Sequence, residues 1–255
     1  MFKDILDRVF YYLSVPTCVC CGERLDFEDK CLCPECGAKH IDHLKTNCSR
    51  CSLVLSECKC TASYLNSHYV RTLVKLFRYK PQREDLPSNY LIYALKQSNR
   101  RDVFDLLSKG LAEAIDRLIG TKGREESFVV TNVPRRKSAL REYGYDHAEE
   151  LAKRVGKILG IRYIRTTKSN TKSAQKSTRG IDRLNNPDIT YIERIDLSGK
   201  QVILIDDIVT TGASMGKCAT LIRGLGARRI YGACVAIAFR DMYTPPLSMD
   251  TDWHR

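Results

Sequence analysis

Val202-Ile-Leu-Ile-Asp206-Asp207-Ile-Val-Thr210-Thr211-Gly212-Ala213-Ser214 is the stretch that decides the fold. Four consecutive apolar residues predict a strand buried on both faces, as in a parallel sheet covered by helices. The apolar run stops at two adjacent carboxylates and gives way to a small, hydroxyl-rich loop with one glycine. Met215 to Leu225 then predicts a helix, with Leu221, Ile222 and Leu225 on one stripe and Gly226 just past its end. A strand–loop–helix unit of this kind places polar groups at the carboxyl end of a strand, where open α/β sheets bind ligands. The loop amides and the helix N-terminus suit a phosphate, and the carboxylates suit hydroxyls or a metal-bound sugar. A phosphorylated ribose has all three features.

Working outward, strands and helices alternate. Phe128-Val-Val-Thr-Asn132 is a short buried strand, followed by Val133-Pro134-Arg135-Arg136-Lys137, a proline and three cations suited to holding an anion. Asp146 to Gly160 is an amphipathic helix, with Asp146 as N-cap and Gly160 as C-cap. Ile161 to Arg165 is a third strand, and 166–187 is a long polar stretch expected to be a functional loop or unstructured. Gln201–Ile205 and Arg229–Ala236 are further strands. Two helices lie between Leu91 and Ile119, broken near Ser98-Asn99, with Arg100 and Arg101 read as a solvated helix terminus. Residues 64–80 mix apolar and basic side chains and carry no assignment. The alternation predicts a parallel sheet.

The first sixty residues have a different chemistry. They hold 8 basic and 9 acidic residues, against 34 and 21 in the remainder, so the net charge of +12 sits on the body of the chain. Ten of the 12 cysteines lie before residue 61. Phe2, Ile5, Leu6, Val9, Phe10 and Leu13 follow helical spacing, and this start lacks the basic-then-apolar pattern of a signal peptide. No apolar run nears the ~18 residues a membrane span requires. These features predict a cytoplasmic protein.

Cys18/Cys21, Cys33/Cys36 and Cys48/Cys51 are C-x-x-C pairs, and Cys58/Cys60 is a fourth pair with one intervening residue. The two-residue spacer lets both thiolates face one ion, and two such pairs close a tetrahedral zinc site. A disulfide framework would require an oxidising compartment. Four thiolates leave no open coordination position, so the zinc is expected to be structural and to help fold a short segment. Cys20 and Cys31 are spare. His40 and His43 are conceivable substitute ligands but are read first as surface residues.

Residues 202–214 resemble the phosphoribosyl pyrophosphate (PRPP) motif of type I phosphoribosyltransferases: four apolar residues, two acids, two apolar residues, then Thr-Thr-Gly. The rest of the chain resembles the ComF family, competence proteins with an N-terminal zinc ribbon and a phosphoribosyltransferase-like domain. The four cysteine pairs are similar to that family's, with Cys58/Cys60 departing by one residue. Asn132-Val133-Pro134 resembles its Pro-Val-Pro. Tyr143-Gly144-Tyr145-Asp146-His147 stands where the family has Arg-Gly-Phe-Asn-Gln, with only Gly144 retained. Gln175, Arg183 and Asn186 match its Gln, Arg and Asn at intervals of eight and three.

The resemblance implies an α/β fold: a Rossmann-like parallel sheet of the type I phosphoribosyltransferase kind, residues 63–255, behind an N-terminal helix and Cys-rich zinc-ribbon domain, residues 1–62. It implies that Thr210, Thr211, Gly212, Ala213 and Ser214 wrap the 5-phosphate. Asp206 and Asp207 would accept the ribose hydroxyls as the catalytic pair, and Pro134, Arg135 and Arg136 would lie near the pyrophosphate. Magnesium would sit on the ribose hydroxyls and pyrophosphate. Lys168, Lys172, Lys176, Arg179 and Arg183 would form either a closing loop or a grip on single-stranded DNA, with Tyr163 as a stacking surface. Three functions follow: a PRPP-binding factor for single-stranded DNA uptake working with other competence proteins, a phosphoribosyltransferase of nucleotide salvage, or a PRPP sensor without chemistry.

Overall fold

Four parallel strands form the central sheet of the computed structural model, which describes residues 16–26, 31–80, 83, 85–136, 140–141, 144–170, 188–193 and 195–238. They are β1 (Val70–Arg78), β2 (Phe128–Asn132), β5 (Gln201–Val209) and β6 (Arg229–Ile237), in the spatial order β1-β6-β5-β2. Val202, Ile203, Leu204 and Ile205 are all buried, as a strand covered on both faces must be. The helices are α1 (Pro34–Leu44), the one-turn α2 (Ser63–Ser67), α3 (Pro87–Gln97), α4 (Arg101–Ile119), α5 (His147–Leu159) and α6 (Ala213–Gly224). One face of the sheet packs Val74, Ile203, Ile205 and Ala233 against Leu107, Leu111, Leu151 and Val155 of α4 and α5. The other packs Leu73, Val202 and Leu204 against Met215, Cys218 and Ile222 of α6.

The expected N-terminal helix lies outside the described residues. Both ends of α5 follow the sequence reading: the Asp146 carboxylate accepts from the Glu149 N–H, and Gly160 takes φ 68°. The break between α3 and α4 falls at residues 98–100. Arg100 there pairs with Asp102 and donates to the Thr17 carbonyl, so it ties the N-terminal segment to α4.

Three local readings are corrected. Ile161–Arg165 forms a single parallel bridge, Val130 to Tyr163, rather than a strand. Val130 N–H donates to the Arg162 carbonyl and Ile164 N–H to the Val130 carbonyl, and the chain then leaves the sheet edge. The polar stretch that follows opens with β3 (Thr167–Ser169), which pairs antiparallel with β4 (Ile189–Tyr191). His40 and His43 are buried rather than on the surface, at 7% and 9% exposure. Their Nδ1 atoms both bond the Ser88 hydroxyl, at 2.8 and 2.7 Å, and so dock α1 on α3. Burial, with His43 next in effect, lowers the pKa of His40 to about 4, so it is neutral near pH 7.

Residues 70–78, unassigned from the sequence, are the edge strand β1. Its pattern is masked by Lys75, which is only 2% exposed. The Lys75 ammonium donates to the carbonyls of Cys58 (2.9 Å), Cys60 (2.8 Å) and Leu73 (3.1 Å), and to Cys58 Sγ (3.1 Å). A buried cation persists only when its donors are satisfied in this way.

The chain after α5 folds back tightly onto the helix because position 156 lacks a Cβ. A Cβ there would stand 2.8 Å from the Ile161 carbonyl oxygen, a backbone atom that cannot rotate away. Gly156→Val should therefore overpack this contact and cost about 2–3 kcal/mol. Thermal unfolding of the variant, compared with the parent, checks this.

Candidate functional site

The sheet creates the site by ending unevenly. β2 pairs with β5 only as far as Asn132 opposite Ile205. β5 continues beside β6 through Asp206 opposite Cys234 to Val209 opposite Ile237. The strand thus runs past the acids, further than the apolar run indicates, because β6 still satisfies its backbone. On the other side, Val133 N–H closes the last bond to the Ile205 carbonyl, at 2.8 Å, and the chain turns away. After β2 the chain moves outward to α5. After β5 it moves the opposite way, to α6 and β6. The crevice between the two strand ends is a topological switch point, the usual ligand position in an open α/β sheet.

Asp206, Asp207 and Arg135 meet in this crevice. Arg135 Nη2 lies 3.1 Å from Asp207 Oδ2, with the two side chains 17% and 10% exposed. The Arg135 N–H donates to Asp146 Oδ2, at 3.0 Å, so the carboxylate that caps α5 also fixes the cationic loop. Asp207 N–H donates to Asp206 Oδ1 and Ile208 N–H to Asp207 Oδ1. Burial and the negative charge of Asp207 push Asp206 well above the usual carboxylate range. Burial acts upward on Asp207 as well, but Lys96, Arg135 and the Ile208 amide outweigh it and hold that carboxyl low. The pair is therefore divided, with Asp207 ionised and Asp206 retaining its proton more strongly.

Beyond β5, Thr210 and Thr211 are exposed, while Gly212 and Ala213 are buried and Ser214 is half-buried. Gly212 takes φ 80° as the N-cap of α6, a conformation open to glycine and strained for other residues. The Thr211 hydroxyl accepts from the Ala213 N–H, at 3.3 Å. The first amides of the 12-residue α6 have no acceptor within the helix and carry its positive dipole end. Pro134 is buried and Arg136 exposed. Lys168 is exposed on β3, while Lys172, Gln175, Lys176, Arg179, Arg183 and Asn186 lie outside the described residues. Tyr163 is half-buried: its hydroxyl donates to Asn132 Oδ1 at 2.7 Å and the Lys153 ammonium lies 5.7 Å from its ring centroid.

Sequence reasoning did not single out Lys96, whose charge helps to hold Asp207 ionised. A lysine in the last turn of a helix reads first as a partner of the helix dipole. Tyr145 and His147 bond to the same helix end. The Tyr145 hydroxyl donates to the Leu95 carbonyl and accepts from the Asn99 N–H, and His147 Nε2 lies 3.0 Å from the Lys96 carbonyl.

The cysteines fall into two groups of four: Cys18, Cys21, Cys33 and Cys36, and Cys48, Cys51, Cys58 and Cys60. In each, the four sulfurs lie within 4.8 Å of one another. Cys21 and Cys33 sulfurs are 3.7 Å apart, and those of Cys51 and Cys58 are 3.5 Å apart. The edge of a zinc–thiolate tetrahedron is about 3.8 Å, so both groups fit the ion. Burial opposes thiolate formation at Cys18 and Cys48. Amides of Cys21, Cys33 and Cys20 at the first, and of Arg50 and Cys51 at the second, bring each to about 7. The single-residue spacer at Cys58/Cys60 does not prevent closure, because Lys75 gathers both carbonyls. Cys31 packs in the main core, and burial raises its thiol to about 12.

Replacing Asp206 by asparagine tests the divided pair. A carboxyl whose folded pKa lies above its unfolded value weakens the fold as pH climbs past about 4. Asp206→Asn should therefore raise the unfolding temperature at pH 7–8 in buffer without magnesium or PRPP, by about 2–4 °C per kcal/mol relieved. Melting curves at pH 4–5 should show the advantage shrinking.

Residues 139–251 match the family model of the phosphoribosyl transferase domain. The chain is 24% identical over 220 residues to the DNA utilization protein YhgH of Escherichia coli (strain K12), covering 86% of this chain and 88% of that protein. It is 33% identical over 84 residues to the ribose-phosphate pyrophosphokinase of Pyrococcus abyssi (strain GE5 / Orsay), covering 33% of this chain. The chain spans about a quarter of the length of the pyrophosphokinases it matches, 25% in that case. Among solved structures, a purine phosphoribosyltransferase from Pyrococcus horikoshii Ot3 aligns with a TM-score of 0.33 at 20% identity, over 57% of this chain and 93% of that one. A phosphoribosyl transferase domain therefore follows two four-cysteine clusters, in a chain similar to YhgH along most of its length.

Proposed function

We propose that the crevice between β2 and β5 binds PRPP with magnesium, and that the protein uses this site in the handling of single-stranded DNA. The observation that carries the reading is the convergence of a buried carboxylate pair, the Gly212 loop and Arg135 on one strand end. Thr210 to Ser214 and the start of α6 present amides and hydroxyls to the 5-phosphate. Asp206 and Asp207 accept the ribose hydroxyls. The cations after Pro134, Arg135 and Arg136, face the pyrophosphate. On entry, Arg135 would exchange the Asp207 carboxylate for a phosphate oxygen, which frees Asp207 for the sugar while each charge keeps a partner. Magnesium, when bound, neutralises pyrophosphate charge; hydroxyl and phosphate oxygens with retained waters suit it better than an all-protein cage. The residues of the crevice fix the sugar and supply oriented dipoles beside C1.

The two cysteine clusters hold zinc in this reading, one ion each, as closed structural sites. Residues 1–62 carry them and residues 63–255 carry the phosphoribosyl half. The similarity to a protein named for DNA utilization and the basic body of the chain support DNA as a partner. No helix among the described residues is long and apolar enough to cross a membrane. The proposed place of action is the cytoplasm, beside other proteins of DNA uptake.

Calorimetric titration with magnesium and PRPP tests the site. The Asp206→Asn, Asp207→Asn double variant should bind at least tenfold more weakly, a loss of about 1.4 kcal/mol or more. Equal binding by parent and variant would overturn the assignment. DNA binding should be retained at low salt and fall steeply and log-linearly with added salt. Filter retention of a labelled single strand checks this, and no retention at low salt removes DNA from the proposal.

A further inference from the structure

The second cysteine cluster is built into the same packing unit as the anion loop. Cys48, Cys58, Leu65 and Met215 belong to one apolar core. Four and five residues after Cys60, Tyr64 and Leu65 lie on the one-turn α2 and press on the start of α6. Leu65 is fully buried. A Cβ added to Gly212 would meet Leu65 Cγ at 2.8 Å, so the leucine rests directly on the bare Cα of the loop. A Cβ added to Gly216, one turn further on, would meet Tyr64 Cε1 at 2.8 Å and His68 Cβ at 3.2 Å. Tyr64 in turn stacks on His68, with ring centroids 4.1 Å apart.

The other end of this strut is held by the cluster. The Arg50 guanidinium, between Cys48 and Cys51, donates to the Thr61 carbonyl at 2.7 Å. Lys75 grips the carbonyls of Cys58 and Cys60 and the Cys58 sulfur. Leu73 N–H donates to the Lys59 carbonyl. The path from sulfur to Gly212 is thus short, and it ends on the fully buried Leu65. Among the described residues the first cluster shows no such path: its cysteines pack with Leu25 in a separate apolar group.

We propose that metal occupancy of the second cluster sets the PRPP affinity of the 210–214 loop, with Leu65 as the positioning residue that transmits it. The inference rests on the PRPP reading of that loop. A zinc ion drawing Cys48, Cys51, Cys58 and Cys60 together fixes residues 58–62 and seats Leu65 against Gly212. The loop amides are then held in place before the anion arrives, and binding avoids the entropy of ordering them. Because equilibrium coupling is reciprocal, PRPP must raise zinc affinity at this cluster by the same factor. The first cluster serves as an internal control.

The test is a zinc competition titration of the intact protein with a chromophoric chelator, with and without saturating PRPP and magnesium. One of two zinc equivalents should be retained about tenfold more tightly with PRPP, and the other should not change. Leu65→Ala should bind PRPP about tenfold more weakly at full zinc content and lose the PRPP effect on zinc. Leu65→Met, which keeps the apolar bulk, should behave as the parent. A parent that binds PRPP while neither zinc, or both equally, responds overturns the coupling and leaves the PRPP site standing. A parent that binds no PRPP overturns the site and the coupling together. The parent titration decides the question even if Leu65→Ala does not fold.

Discussion

Two adjacent carboxylates on a buried strand are tolerable only where the sheet stops supplying neighbours on one side. β5 provides such a place, because β6 continues to pair with it while β2 ends at Asn132. A pair of carboxyls this close resists double ionisation. The surroundings divide them: Lys96 and Arg135 favour the charge on Asp207, while burial and the charge of Asp207 push Asp206 upward. The arrangement of the neighbouring elements follows from this. Arg135 is carried by the loop after β2, its backbone is held by the Asp146 carboxylate, and Lys96 ends the helix on which Tyr145 and His147 rest. Four elements meet on one anionic point.

The opposite face of the sheet solves a different problem. The cysteine-rich segment is too short to bury much apolar surface by itself, and part of it uses the core of the sheet. Leu55, Cys48 and Cys58 are buried with Leu73, Val202 and Met215. Lys75 completes the join by placing a cation where thiolates and carbonyl oxygens concentrate negative charge. The same contact surface runs on through Leu65 to the glycine at the head of α6. The cysteine-rich segment and the loop at the head of α6 therefore share packing.

The chemistry of both regions was legible in the order of the residues. Four apolar residues ending at Asp206-Asp207 and Thr-Thr-Gly specify a strand, a turn and a helix start through local rules alone. The caps of α5 and the break between α3 and α4 were readable for the same reason, since a cap is a contact between residues three or four apart. β1 was not readable, because Lys75 interrupts its apolar pattern and is made tolerable only by carbonyls fifteen and seventeen residues earlier. His40 and His43 were misplaced on the surface for a similar reason. Ser88, their shared partner, lies 45 or more residues away in sequence.

By itself, then, the sequence determined where the paired thiols, the adjacent carboxyls and the glycine loop at a helix start lie, since spacing within a few residues decides whether a pair of sulfurs or a loop of amides can face one point. Only the tertiary structure decided how these parts combine. It joined Cys18/Cys21 to Cys33/Cys36 and Cys48/Cys51 to Cys58/Cys60, set Arg135 against Asp207, and laid Leu65 on Gly212. Each of these contacts joins chain segments that local spacing leaves independent. They form because burial of the sheet's two faces brings those segments together, and a buried charge or a bare glycine is stable only when the neighbour that completes it has arrived.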